Sequence, residues 1–194
     1  MPAITRDSLL TLEAYAKARD AYRAKVLAHK KPRTVHVGEH VTLIFEDELT
    51  LRYQVQEMLR IERTFEEAGI QDELDAYNPL VPDGSNWKAT MLIEYEDVEA
   101  RRVALERLKG IEDDVWVQVQ SHPRVKAIAD EDLRRENETK TSAVHFLRFE
   151  LTPPMIGALK GGAPLSVGVD HPQYQAAVAL VPDATRVALL ADLA

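Results

Sequence analysis

The 194-residue chain contains no cysteine. That absence excludes disulfides, thiolate nucleophiles, cysteine-ligated zinc and protein-held iron-sulfur clusters. Glycine is scarce as well, with eight in the whole chain, and none is spaced as a P-loop or a dinucleotide-binding turn. The nearest approach, GALKGG from residue 157, has the wrong spacing. No apolar run approaches the roughly 18 residues that span a bilayer. The opening MPAITRDSLLTLEAYAKARD interleaves acids and bases and has no apolar stretch of signal-peptide length, so a cytoplasmic location is expected. Also missing are HExxH, ExxH pairs on helices and GxSxG. Zincin, ferritin-type and serine-hydrolase chemistries lose their usual markers.

What is present has the balance of an ordinary globular domain, with 45% hydrophobic and 29% charged residues. A chain this long buries about 70% of its unfolded surface, enough for one substantial core, and no linker or repeat divides residues 1 to 194. Acids outnumber bases 32 to 24 for a net charge of -8, which works against binding nucleic acid or anionic membranes. The charge is also segregated. Lys17, Arg19, Arg23, Lys25, Lys30, Lys31 and Arg33 accompany one acid, Asp20, whereas residues 46 to 75 carry ten acids and three arginines. Such a division serves either a solvated basic helix face or a docking surface.

Periodicity predicts α+β: a single domain with a mainly antiparallel sheet packed by several helices, led by a long helix over about 7 to 30. RTVHVG and HVTLIF form a hairpin around Gly38. A second helix is expected over about 48 to 68 with Gly69 just past its end, although LTLRYQVQ alternates cleanly enough to prolong the strand to about 54. A short helix over QDELDAY, a strand WKATMLIEY, a helix near 97 to 109 closed by Gly110 and a strand VWVQVQ follow. Residues 121 to 142 are polar and read as a mobile surface excursion with a short helix around DEDLRREN. Strands AVHFLRFEL, PLSVGVD and QAAVAL and a helix over DATRVALLADLA complete the chain.

Candidate chemistry begins with RYQVQEMLRIER. At 100° per residue Glu62 falls in the stripe of Leu51, Val55, Met58, Leu59 and Phe65, where a carboxylate needs a partner. Arg52 and Glu66 are in reach, so Glu62 is either held by an arginine or does chemistry, alone or with Glu66 around a cation. Gln56, Glu57, Arg60 and Arg63 form the opposite, polar face, a candidate binding surface. In AVHFLRFEL the strand period turns His145 inward with Leu147, Phe149 and Leu151. Asp170 and His171 in VDHPQY stand at a strand end, as an acid-base pair or as turn residues. The remaining histidines look peripheral. Glu62, Glu66, His145 and His171 are thus the candidate ligands for a metal, with iron, manganese or zinc fitting oxygen and imidazole donors.

TVHVGEHVTLIFEDE, RYQVQEMLRIER, DELDAYNPLVP, AVHFLRFEL and VDHPQY together resemble a bacterial family known as domain of unknown function 3501, with the QxQEMxR stretch (Gln54, Gln56, Glu57, Met58, Arg60) the most specific part. The resemblance covers most of the chain and departs at EDEL, residues 46 to 49, where the family pattern has an Asn-Arg turn. It implies a role beside redox or peroxide-defence proteins, with a rubrerythrin-like or iron-sulfur protein as partner. Two functions are therefore expected in competition: an accessory protein docking through the polar face of the second helix, and a small metal-binding protein or enzyme uniting Glu62, His145 and His171.

Overall fold

The computed structural model describes residues 3–132 and 135–194. Among the described residues its frame is nine strands in two antiparallel sheets. Strands β1 (Thr34–Val37), β2 (Val41–Glu46), β3 (Asn86–Ile93), β6 (Ile128–Ala129) and β7 (Val144–Glu150) make a five-stranded sheet in the order β1-β2-β3-β7-β6. Strands β4 (Val115–Val119), β5 (Val125–Lys126), β8 (Leu165–His171) and β9 (Tyr174–Val178) make a second, in the order β5-β4-β8-β9. Alternation decides which face each strand buries. On β3, Trp87, Ala89, Met91 and Ile93 point into the core, and on β7 His145, Leu147 and Phe149 do the same. β4 and β8 answer with Val115, Val117, Val119, Leu165, Val167 and Val169, so both sheets share one apolar core, closed at its ends by helices α5 (Pro153–Lys160) and α6 (Asp183–Leu190).

The remaining helices are α1 (Leu12–Lys30), α2 (Glu48–Glu62), α3 (Glu67–Tyr77) and α4 (Val98–Arg107). A smaller core of Leu51, Val55, Leu59, Ile70 and Leu74 joins α2 to α3 and to Ile4 and Leu9 of the N-terminal segment. Helix α2 starts immediately after β2 because Asp47 caps it. Its carboxylate accepts from the Thr50 backbone N–H at 3.0 Å while the Thr50 hydroxyl accepts from the Asp47 N–H at 2.9 Å. This settles LTLRYQVQ as helix, against its strand-like alternation.

The second helix is shorter than expected. Arg63 adopts the left-handed conformation, φ 56°, and ends α2 at Glu62. Gly69 therefore lies inside α3, where a Cβ would come within 2.6 Å of the Thr64 side chain; its role is close packing at the α2–α3 corner. The stretch 121 to 142 contributes β5 and β6, which pair with β4 and β7. The helix expected around DEDLRREN includes Leu133 and Arg134, which lie outside the described residues, and its flanks, Glu131, Asp132 and residues 135 to 137, are not helical. No helix among the described residues is long and apolar enough to cross a membrane.

Candidate functional site

The side chains expected to converge do not. Glu62 is exposed at the end of α2, because the helix stops there and Phe65, which completed the expected stripe, is 73% exposed. Arg52, the arginine expected in reach, is engaged elsewhere, pairing with Glu48 at 3.0 Å, and Arg60 pairs with Glu57 at 3.2 Å. Glu66 is exposed at the start of α3. Asp170 and His171 are neighbours on a strand and so point to opposite faces. Asp170 is exposed and pairs with Arg124, whereas His171 is buried with both ring nitrogens used: Nε2 lies 3.1 Å from the Lys109 carbonyl and Nδ1 accepts from the Gln173 N–H at 3.2 Å. No ring nitrogen is left for a ligand.

The polar face of α2 also turns inward. Gln56, expected opposite the apolar stripe, is 1% exposed, and its amide clasps the Leu10 backbone, accepting from the N–H at 2.7 Å and donating to the carbonyl at 3.2 Å. Glu57 is drawn against α1, accepting from the Tyr15 hydroxyl at 2.5 Å and from Arg19 at 2.8 and 2.9 Å. Those charged hydrogen bonds pull its carboxyl down to about 2. Of that face Arg63 alone is fully exposed.

His145 is where sequence and structure meet. It is fully buried on β7, as the alternation required, and the structure surrounds it with groups from three other segments. Asp130, just after β6, adopts φ 49°, a conformation aspartate tolerates better than most residues. Its Oδ1 accepts from the Phe146 N–H at 3.0 Å and from Arg135 at 3.1 Å, and Oδ2 lies 2.6 Å from His145 Nδ1. On the other side of the ring, Nε2 lies 3.0 Å from the Thr141 hydroxyl, 3.1 Å from the Ser142 carbonyl and 3.8 Å from Glu112 Oε2. Glu112 belongs to the 3-10 turn Ile111–Asp114 that leads into β4, and Thr141 Oγ1 stands 3.4 Å from its Oε2.

The Asp130 carboxylate accepts the Nδ1–H of His145 and holds the ring so that Nε2 faces the Thr141 hydroxyl, the Ser142 carbonyl and Glu112. The triangle formed by Nε2, Glu112 Oε2 and Thr141 Oγ1 has sides of 3.8, 3.0 and 3.4 Å. A point equidistant from its corners lies about 2.0 Å from each, the length of a bond from zinc to nitrogen or oxygen. Glu112, Asp130 and His145 are also the group of possible metal ligands, found among the described residues, that gathers within 4.8 Å. Glu112 and Asp130 line an open cleft of about 350 Å3 together with Asp113, Arg135 and Glu136. Burial raises the pKa of Glu112, and Glu136 and Asp113 push the same way, against its own backbone N–H and His145. A carboxylate under that strain gains from a nearby positive charge.

Of these residues the sequence pointed to His145 alone. Asp130 was hidden because a two-residue strand such as β6 leaves no periodic signature, and Glu112 because IEDD reads as a solvated acidic turn.

Comparison with known proteins adds a fold and a family. Among curated proteins none matches this chain. A crystal structure at 1.90 Å, described as a novel protein of unknown function from Burkholderia pseudomallei, superposes with a TM-score of 0.95 at 58% sequence identity and covers 100% of both chains. The family model described as "Protein of unknown function (DUF3501)" matches residues 3–193, and the chain belongs to that family.

Proposed function

We propose that the protein is a metal-binding accessory protein that holds a divalent cation between His145, Glu112 and Thr141, with Asp130 orienting the imidazole from behind. The observation that carries this reading is the donor triangle, whose centre stands at bonding distance from one nitrogen and two oxygens. A carboxylate on the far ring nitrogen of a ligating histidine is the usual support for such a site. Imidazole, carboxylate and hydroxyl without thiolate favour manganese, iron or zinc. The cation would displace any proton from Nε2, so binding weakens as the solution becomes more acidic.

The experiment is elemental analysis of protein purified without chelator or affinity metal, with melting measured before and after chelation and after adding Mn2+ or Zn2+. A metal at 100 times its dissociation constant stabilises the fold by about 2.7 kcal/mol, a readily measured rise in Tm. Glu112→Gln keeps the volume of the site and removes its anionic ligand, so the metal-dependent rise should disappear while the metal-free Tm changes little. Metal-free protein whose Tm ignores both cations and chelator sinks the reading.

A second reading, an accessory protein docking on a rubrerythrin-like or iron-sulfur partner, is favoured by one observation. Ile61 and Phe65 stand 58% and 73% exposed beside Arg63 at the α2–α3 corner, in a chain whose charges are segregated. The same native preparation tests it: such a partner should co-purify in stoichiometric amount, and a chain that migrates alone counts against docking.

A further inference from the structure

The outer face of the five-stranded sheet carries a second feature, turned away from His145. Over β3 and β7 lies a cavity of about 490 Å3 whose lining includes Pro79, Leu80 and Phe146 together with Lys88 and Arg148. The two cations face each other across the β3–β7 register. Their circumstances differ. The Arg148 guanidinium is saturated by carboxylates, with Glu131 at 2.8 and 2.7 Å and Glu150 at 2.5 Å. The half-buried Lys88 ammonium makes no hydrogen bond or ion pair among the described residues.

Among the described residues, the carboxylates around Lys88 make their hydrogen bonds to other groups. Glu46, opposite Lys88 in the β2–β3 register, accepts from the Thr90 hydroxyl at 2.7 Å through Oε1, and its Oε2, without a hydrogen bond, stands 3.7 Å from the Lys30 ammonium. Asp83 accepts from the Ser85 N–H and hydroxyl, both at 2.8 Å. Asp132 takes Arg135 at 2.5 and 2.6 Å. Burial, and then the charge of Arg148, lower the Lys88 pKa, and Glu131, Asp83 and Glu150 act on it more weakly in the opposite direction without a hydrogen bond to the ammonium.

We propose that this cavity binds a small monocarboxylate with an apolar body, its carboxylate paired with Lys88 and its body against Leu80, Pro79 and Phe146. The size is that of a small-molecule site, and a few polar groups among apolar walls give such sites their orientation. Charge limits the ligand further. With Glu131, Asp132 and Asp83 around one open ammonium, a second negative charge on the ligand would meet repulsion, so di- and triphosphates are selected against.

The test is isothermal titration of the full chain with phenylacetate, with its neutral isostere phenylacetamide, and with inorganic phosphate. Saturable binding of phenylacetate, at least tenfold tighter than of phenylacetamide, is the expected result. It should be lost in Lys88→Met and also in Leu80→Glu, which sets a carboxylate into the apolar wall without touching the lysine. Circular dichroism confirms that each variant folds. Should Lys88→Met not fold, the wild-type comparison of acid and amide still decides. The proposal is overturned if phenylacetate does not bind, if acid and amide bind equally, if a folded Lys88→Met binds as wild type does, or if phosphate binds in preference.

Discussion

Gly168 shows how much a single position can carry. It sits in β8 opposite Trp116 of β4, and a Cβ there would clash with the indole, 2.6 Å from Trp116 Cε2, and stand 3.0 Å from the Ala176 carbonyl. The Arg124 guanidinium lies over the same indole, 3.8 Å from the ring centroid. Neither neighbour can retreat cheaply, because Ala176 is backbone in the adjacent strand β9 and Trp116 is 4% exposed. Gly168→Ala should therefore cost stability towards the upper end of the ~1–3 kcal/mol typical of overpacked sites. Denaturant titration measures it, and a midpoint equal to wild type would show that the ring moves freely. His145 makes the complementary point. Its inward direction was legible from strand alternation alone, but the carboxylates it meets, Asp130 and Glu112, come from segments 15 and more residues away.

Among the elements, α2 shows both what periodicity conveys and where it stops. The stripe Leu51, Val55 and Leu59 is buried as its spacing required, and the Asp47–Thr50 cap is the kind of start signal that sequence carries. The end was illegible, because an arginine rather than a glycine takes the left-handed position, at a cost that the α2–α3 packing overrides. The buried polar edge of the helix was equally hidden: Gln56 and Glu57 look like solvated residues until α1 and Leu10 are laid against them. That seam makes a pH prediction. Glu57 has its carboxyl held at about 2 in the fold against an ordinary 4.5, so its contribution to stability is complete above about 4.5 and is lost as pH falls towards 2. Glu57→Gln should cost about 1.5–3 kcal/mol at pH 7, the worth of a hydrogen bond to a charged group, and should flatten the acid limb of the stability curve between pH 4.5 and 2. Parallel acid limbs for wild type and variant would mean that Arg19 and Tyr15 do not favour the ionised carboxylate.

Across the whole molecule, one buried arginine ties together parts of the chain that are far apart in sequence. Arg33, 1% exposed, donates from Nε to the Phe45 carbonyl and from Nη1 to the Ala188 carbonyl, each at 3.0 Å, and from Nη2 to Asp192; Asp47 stands 3.4 Å away. Asp47 in turn takes His29 Nε2 at 2.5 Å, so the end of α1, the end of β2 and the C-terminal helix α6 close on one cation. The sequence showed Arg33 as one member of a basic run, and nothing local separates it from its exposed neighbours; its role appears only when residues 159 apart meet. Burial pushes the Asp192 carboxyl up to about 6 even with Arg33 beside it. Arg33→Met fills the space but strands Asp192 and Asp47, and breaking a buried pair in this way typically costs 3–5 kcal/mol, or about that much here. The sign with pH follows from Asp192. Below about 6 it is protonated in the wild-type fold, and the variant's defect is smallest; removing Arg33, which lowers this carboxyl, pushes it higher still, so as pH rises past that value wild type gains its ion pair, the variant does not, and the defect deepens. Urea midpoints of wild type and Arg33→Met at pH 5, 6.5 and 8 measure this. A gap that stays constant over that range would mean that Asp192 is balanced by groups other than Arg33, and that the joining of α1, β2 and α6 does not depend on this cation.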